Sequence, residues 1–157
     1  MKLSTRVRYG ARLLVDVAAN QGEAPVALKD VARRQQVSLN YVKQLVVPLV
    51  AAGIVRTERG RGGGVRLAHA ATDIKLSWVV RILDGSTAPV ACVDAPMVCV
   101  RNGDCGTRAI WCRVKDAIDG VLDSVTIQDL VEQEKVFGRS ASGEPCAEVA
   151  QAGSGWN

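Results

Sequence analysis

The sequence predicts a mainly α fold with a small β wing: a winged helix-turn-helix followed by a long C-terminal dimerisation helix. Three observations predict it. Two helical patterns flank a two-residue break, a glycine-rich, arginine-bearing hairpin follows at once, and the second half carries a long apolar stripe at helical period. A chain of 157 residues, 48% hydrophobic with only 4% aromatic, holds enough apolar material for one core with an extension. The predicted organisation is a winged helix-turn-helix domain over 1–85, a cysteine loop over 86–106, the dimerisation helix and a short helix over 107–137, and a disordered tail over 138–157.

Ser4 can cap a first helix in which Val7, Ala11, Leu14 and Ala18 recur at spacings of four and three, and Gly22 with Pro25 ends it. Leu28 to Gln35 reads as the next helix and Gln36–Val37 as the turn. Ser38 is then the N-cap of a helix that Gly53 stops. Pro48 lies inside that helix and removes the bond to the Gln44 carbonyl, so a bend or a 3₁₀ turn is expected there. The arms Ile54–Thr57 and Val65–Leu67 enclose the tip of a wing. Leu76 to Leu83 predicts a short helix ending at Gly85. From Thr107, the residues Ile110, Val114, Ala117, Ile118, Val121 and Val125 share one face of a long helix, which must bury its stripe against its own domain or a second copy. Thr126 can cap a last short helix, TIQDLVEQ.

Charge divides along the chain. Up to Arg66 there are twelve Lys/Arg against four Asp/Glu, a balance of +8; from Leu67 onward the balance is −4. A basic half joined to an acidic half suits a protein that meets a polyanion through one end. The start of the second helix of the pair offers Ser38, Asn40, Tyr41, Lys43 and Gln44, side chains able to read base edges or grip phosphates, and the wing tip offers Arg59 and Arg61 for a minor groove. These residues are the candidate contacts to double-stranded DNA, and two-fold pairing of the chain would match a palindromic operator. No segment approaches the roughly 18 consecutive apolar residues of a membrane span, and the N-terminal residues lack a signal-peptide core, so a cytoplasmic protein without a membrane role is expected.

Four of the five cysteines fall in one stretch, CVDAPMVCVRNGDCGTRAIWC, from Cys92 to Cys112. In a reducing compartment such a cluster favours metal binding or redox chemistry over structural disulfides. Thiolates suit iron–sulfur clusters and zinc alike. The gaps here are six, five and six residues with no Cys-x-x-Cys, wider than structural zinc sites favour and better matched to a loop wrapping a bulky cluster. Cys112, beside Trp111 inside the predicted helix, also reads as a packed core residue. With a single histidine, His69, the sequence offers no Ser/His or Cys/His constellation, and no enzyme is expected.

The order KLSTRVRYGARLLVDVA, VSLNYVKQL, AAGIVRTERGRGGGVRLA, then a three-cysteine loop and a long helix near TIQDLV, resembles the Rrf-type winged-helix transcription regulators of bacteria, whose branches are IscR-, NsrR- and CymR-like. The resemblance covers about residues 1–137 and is most specific in the RGRGGG wing and the cysteine loop. It implies a homodimeric DNA-binding regulator, of the repressor type, that senses redox, nitric oxide or iron–sulfur status through an iron–sulfur cluster. Cys92, Cys99 and Cys105 match the family's cluster thiolates, and Tyr41, Gln44 and Arg59 its DNA contacts. The histidine ligand of IscR-like members falls at Arg108 and the partner-contributed aspartate of NsrR-like members at Arg8. Neither arginine can ligate iron, which leaves the fourth ligand open, with Cys112 one candidate, and favours a 4Fe-4S cluster over 2Fe-2S. A winged-helix regulator with structural zinc, or an iron–sulfur redox protein, are the competing readings; the basic, arginine-tipped wing has no use in an electron carrier.

Overall fold

The computed structural model describes residues 3–60, 62–101 and 103–139. Helix α1 (Thr5–Asn20) opens as predicted on Ser4, whose hydroxyl accepts from the backbone N–H of Val7. Its buried face is wider than one stripe, taking in Val7, Gly10, Leu13, Leu14, Val15 and Val17. The reason is central placement: α1 packs on α4 (Leu76–Asp84) and α7 (Ile127–Arg139) as well as on the helix pair. Gly10 marks the closest approach, since a Cβ there would lie 2.2 Å from the Leu83 Cδ1.

The helix pair follows the sequence closely. Helix α2 spans Leu28–Gln35, Gln36 turns in the left-handed region at φ 55°, and α3 spans Leu39–Ala51. The Ser38 hydroxyl accepts from the Tyr41 N–H at 3.1 Å, and Gly53 at φ 73° takes the chain out of α3. The turn expected at Pro48 is absent, and α3 stays α-helical through it. Gln44, whose carbonyl loses its helical donor, lies on the exposed face where water can serve instead. A buried ion pair locks α1 to α2: Asp16 accepts from Arg34 Nη2 at 2.5 Å and Nε at 2.9 Å, and from Gln35 Nε2 at 2.9 Å. The Asp16 side chain is 3% exposed, so these donors satisfy a carboxylate that would otherwise be very costly to bury.

Strands β1 (Val55–Glu58) and β2 (Gly64–Leu67) pair antiparallel, with Val55 opposite Leu67 and Glu58 opposite Gly64. The arms sit one residue later at β1 and one earlier at β2 than the sequence indicated, because Ile54 enters the core fully. The other edge of β2 bridges the segment before α2, with reciprocal bonds of 2.9 Å between Val26 and Val65. A Cβ at Gly64 would lie 2.2 Å from the Val26 carbonyl oxygen, so this weld depends on glycine.

Leu13, Leu14, Val31, Leu45, Leu49, Val65, Ile74, Val79 and Ile127 form one core under these elements. Burying each such side chain contributes about 1.5–3 kcal/mol. Beyond α4, Gly85 at φ 85° releases the chain into the cysteine segment, which holds a short helix α5 (Ala91–Asp94) and a 3₁₀ turn at Pro96–Val98, both unanticipated. Helix α6 (Gly106–Ser124) begins one residue before the sequence indicated and rests on α4 and α5; Val125, read as part of its stripe, is extended instead. Val125 accepts from Leu76 N–H at 2.8 Å, and Thr126 and Asp129 cap α7 reciprocally, the hydroxyl accepting from Asp129 N–H and the carboxylate from Thr126 N–H. That carboxylate is held below its ordinary range by the Thr126 hydroxyl and N–H. Helix α7 is five residues longer than TIQDLVEQ and runs through Arg139, into the stretch read as a tail; residues 140–157, with Cys146, lie outside the described residues.

Candidate nucleic-acid interface and thiol loop

The first turns of α3 point their polar side chains outward because Val42, Leu45, Val46 and Leu49 use the opposite face for the core. Asn40, Lys43 and Gln44 are exposed, and Ser38, also exposed, spends its hydroxyl on the cap. Tyr41 differs. Its ring stands edge-on against Tyr9 of α1, with centroids 5.8 Å apart, and its hydroxyl is buried with no hydrogen-bond partner among the described residues. The Arg8 and Arg12 guanidinium groups lie 5.0 and 5.1 Å from the centroid of that Tyr9 ring. The sequence marked Arg8 only as the place of the NsrR-like aspartate and gave Arg12 no role. Their convergence with α3 depends on the crossing of α1 and α3, which no local pattern encodes.

On the wing, Arg59 is exposed beside Gly60, at φ 109°, and Gly62, at φ 86°. Arg61 lies outside the described residues. Arg66, counted with the basic half, is a strap: its Nε donates to Glu58 at 2.8 Å, its Nη1 to the Gly22 carbonyl at 2.6 Å, and its Nη2 to the Glu23 carbonyl. It holds the wing to the α1–α2 connection.

The thiol loop joins α4 to α6. Cys92 sits in α5, Cys99 follows the 3₁₀ turn, Cys105 is the N-cap residue of α6 and Cys112 lies two turns into it. All four are free and half-exposed, so Cys112 is not the fully buried core residue that its neighbour Trp111 suggested. The Cys105 sulfur lies 3.2 Å from the Thr107 hydroxyl. That hydroxyl above all, then the Arg108 backbone N–H, holds the Cys105 thiol below its ordinary range, with the Arg101 charge adding to the effect. The Arg108 side chain ligates nothing: its Nε donates to the Cys92 carbonyl at 3.0 Å. At the base of the loop, buried Thr87 donates to Asp119 at 2.5 Å, and Lys115 donates to the other carboxylate oxygen at 2.5 Å. Lys115 and then Thr87 hold the Asp119 carboxyl below its ordinary range.

The donor set fits a thiolate-bound metal centre in kind: three accessible thiols on one loop, one of them biased toward thiolate, in a segment whose short helix and 3₁₀ turn bury none of their own side chains. The loop does not gather them, and among the described residues no three His, Cys, Asp or Glu side chains converge. His69 is exposed and lies against Trp78, with ring centroids 5.3 Å apart. No helix among the described residues is long and apolar enough to cross a membrane.

Comparison with known proteins agrees with this architecture. A family model described as Rrf2, iron-dependent transcriptional regulator, matches residues 3–133. Protein rrf2 of Nitratidesulfovibrio vulgaris is 39% identical over 141 residues, covering 90% of this chain and 94% of its own length. Among solved structures, CymR, the global cysteine regulator of B. subtilis, superposes with a TM-score of 0.73 at 34% identity, covering 85% of this chain and 98% of that one. T. potens IscR superposes with a TM-score of 0.71 at 33% identity, covering 92% and 93%. With the exposed recognition helix, the wing and these relatives in agreement, the chain belongs to the Rrf2 family of winged-helix transcriptional regulators, proteins that bind DNA and are not enzymes.

Proposed function

We propose that this regulator is a homodimeric repressor that senses redox, nitric oxide or iron–sulfur status through an iron–sulfur cluster, 4Fe-4S rather than 2Fe-2S, held by Cys92, Cys99 and Cys105. The observation that carries this reading is the loop itself. Its three half-exposed thiols lie on backbone with almost no packing of its own, and it runs directly into α6. A bound cluster would supply the cross-link that such a loop lacks, together with chemistry that oxygen and nitric oxide alter. Two ties, Arg108 to Cys92 and Thr87 to Asp119, carry a change of loop order to α6.

Helix α6 is the dimer helix in this reading. Ile110, Trp111 and Val121 stay exposed along it, Val121 at 65%, and a second copy would cover them. Paired copies set two α3 helices against successive major grooves of a palindromic operator. Asn40, Lys43 and Gln44 reach bases or phosphates, Ser38 orders the helix start, and Arg59 with Arg61 enters the flanking minor groove. Tyr41, its hydroxyl turned inward, serves by positioning α3 against Tyr9.

The test is to purify the protein without oxygen, record its visible spectrum, and count iron and acid-labile sulfide per chain. Iron and sulfide near four each, with visible absorption, are expected for the 4Fe-4S cluster. Colourless protein with stoichiometric zinc would establish the structural-zinc reading in its place.

A further inference from the structure

Arg108 touches both ends of the thiol loop. Its side chain donates from Nε to the carbonyl of Cys92, sixteen residues back, at 3.0 Å. Its backbone N–H donates to the Cys105 carbonyl at 3.1 Å and also faces the Cys105 sulfur. Little else fixes the first cysteine, because α5 and the 3₁₀ turn after it bury no side chain. Residue 108 lies in the first turn of a 19-residue helix whose far end is anchored by buried Leu122, so it is a rigid point from which to hold a loop. Its guanidinium is a planar cation with several N–H donors in a fixed geometry.

We propose that Arg108 is a positioning residue, which draws Cys92 and Cys105 to the N-terminus of α6 so that both thiolates are presented to the cluster from one rigid element. The inference rests on the iron–sulfur reading given above. It assigns a task to a residue that cannot ligate, at the place where a histidine ligand stands in IscR-like regulators. The guanidinium, hydrogen-bonded to the Cys92 backbone, also puts a positive charge within the loop, which favours the more negative, reduced state of whatever the loop binds.

The full-length chain is prepared without oxygen as wild type, Arg108→Ala, Arg108→Gln and Arg108→Lys. Arg108 is half-exposed, so unchanged helical content is expected throughout. Two readouts follow. With Cys99, Cys112 and Cys146 changed to Ser and no metal present, diamide takes two electrons and two protons from Cys92 and Cys105 as they join, and the rate of that intramolecular cross-link reports their proximity. In cluster-loaded protein, the rate of iron release to a chelator and the midpoint potential report the site. Arg108→Ala is expected to slow the cross-link and speed iron release by about fivefold each, the factor for loss of one partly exposed hydrogen bond. Arg108→Lys should recover much of both rates, whereas Arg108→Gln, without the charge, should lower the potential. A wild type that holds neither iron nor sulfide overturns the cluster reading. A wild type with a full cluster whose Arg108→Ala variant matches it in both rates overturns the role of Arg108 alone.

Discussion

Asp119 shows how one carboxylate joins the thiol loop to the body of the protein. It accepts from Thr87 at the base of the thiol loop and from Lys115 one turn earlier in α6, and both hold its carboxyl below the usual range. A carboxyl depressed on folding stabilises the fold at every pH above its unfolded-state value, about 3.9. That contribution disappears as pH falls through the lower folded-state value, because the native state must then take up the proton it resisted. Denaturant midpoints measured from pH 7 to pH 2 should therefore fall below about pH 4 in the wild type. Asp119→Asn should be less stable at pH 7 and decline less steeply over the same acid range. Parallel curves for the two proteins would show that the Asp119 contacts contribute nothing. The effect should be modest, since Lys115 and Asp119 are each partly open to solvent. At this scale sequence reading has least to offer. Nothing in the spacing of Thr87, Lys115 and Asp119 announces that they meet, and Arg108 looked only like a missing ligand until its hydrogen bond to Cys92 supplied another task.

At the scale of elements, α6 carries the clearest unspent surface. Ile110 is 50% exposed and Val121 65%, although their period is that of a buried stripe; Leu122 alone on this helix is buried. Changing Ile110 or Val121 to Glu should leave the monomer fold intact, since neither side chain supports it. Either change should weaken self-association by about tenfold or more, because each apolar side chain covered by a partner is worth about 1.5–3 kcal/mol. Sedimentation equilibrium over a concentration series reads this directly, and a variant that dimerises as tightly as wild type would remove α6 from the interface. The helices themselves were legible because each rests on a local signal: the Ser4 and Ser38 caps, Gly53 and Gly85 at positive φ, and apolar positions at spacings of three and four. The departures have non-local causes. Helix α1 is buried more broadly than one stripe because α4 and α7 pack on it, the short helix α5 lacks any apolar period, and the strand limits follow from Ile54 entering the core. The thiol loop was legible as a cluster of cysteines in sequence, yet among the described residues three of them do not converge in space, because the short helix and 3₁₀ turn between them bury no side chain that would fold the loop inward.

Across the whole molecule, the balance of +8 up to Arg66 against −4 beyond it sets how the two ends meet DNA. The basic half contains α3 and the wing, while the acidic half contains the thiol loop and the α6 face, so attraction to a polyanion favours an approach through α3 with the thiol loop turned away. Part of that positive charge is already engaged: Arg34 with Asp16, Arg66 with Glu58, and Arg33 with Asp30. Among the described residues Lys43 and Arg59 are exposed and outside these ion pairs, which suits phosphates and the minor groove, whereas uncharged Gln44 suits base edges. These roles separate by salt. Each neutralised phosphate makes the affinity fall with a slope of about −0.9 in log–log terms, so Lys43→Ala should weaken binding to every sequence alike and shallow the salt slope by about one. Gln44→Ala should leave the slope unchanged and lower the preference for the operator over random duplex by about 1–3 kcal/mol per site. Arg59→Ala should do both in part, because a guanidinium in a narrow minor groove reads shape through potential. Fluorescence anisotropy on operator and scrambled duplexes from 50 to 200 mM salt distinguishes the three. Equal losses on both duplexes for Gln44→Ala would place that side chain on the phosphates and move base reading to Asn40, one turn earlier on the same exposed face of α3.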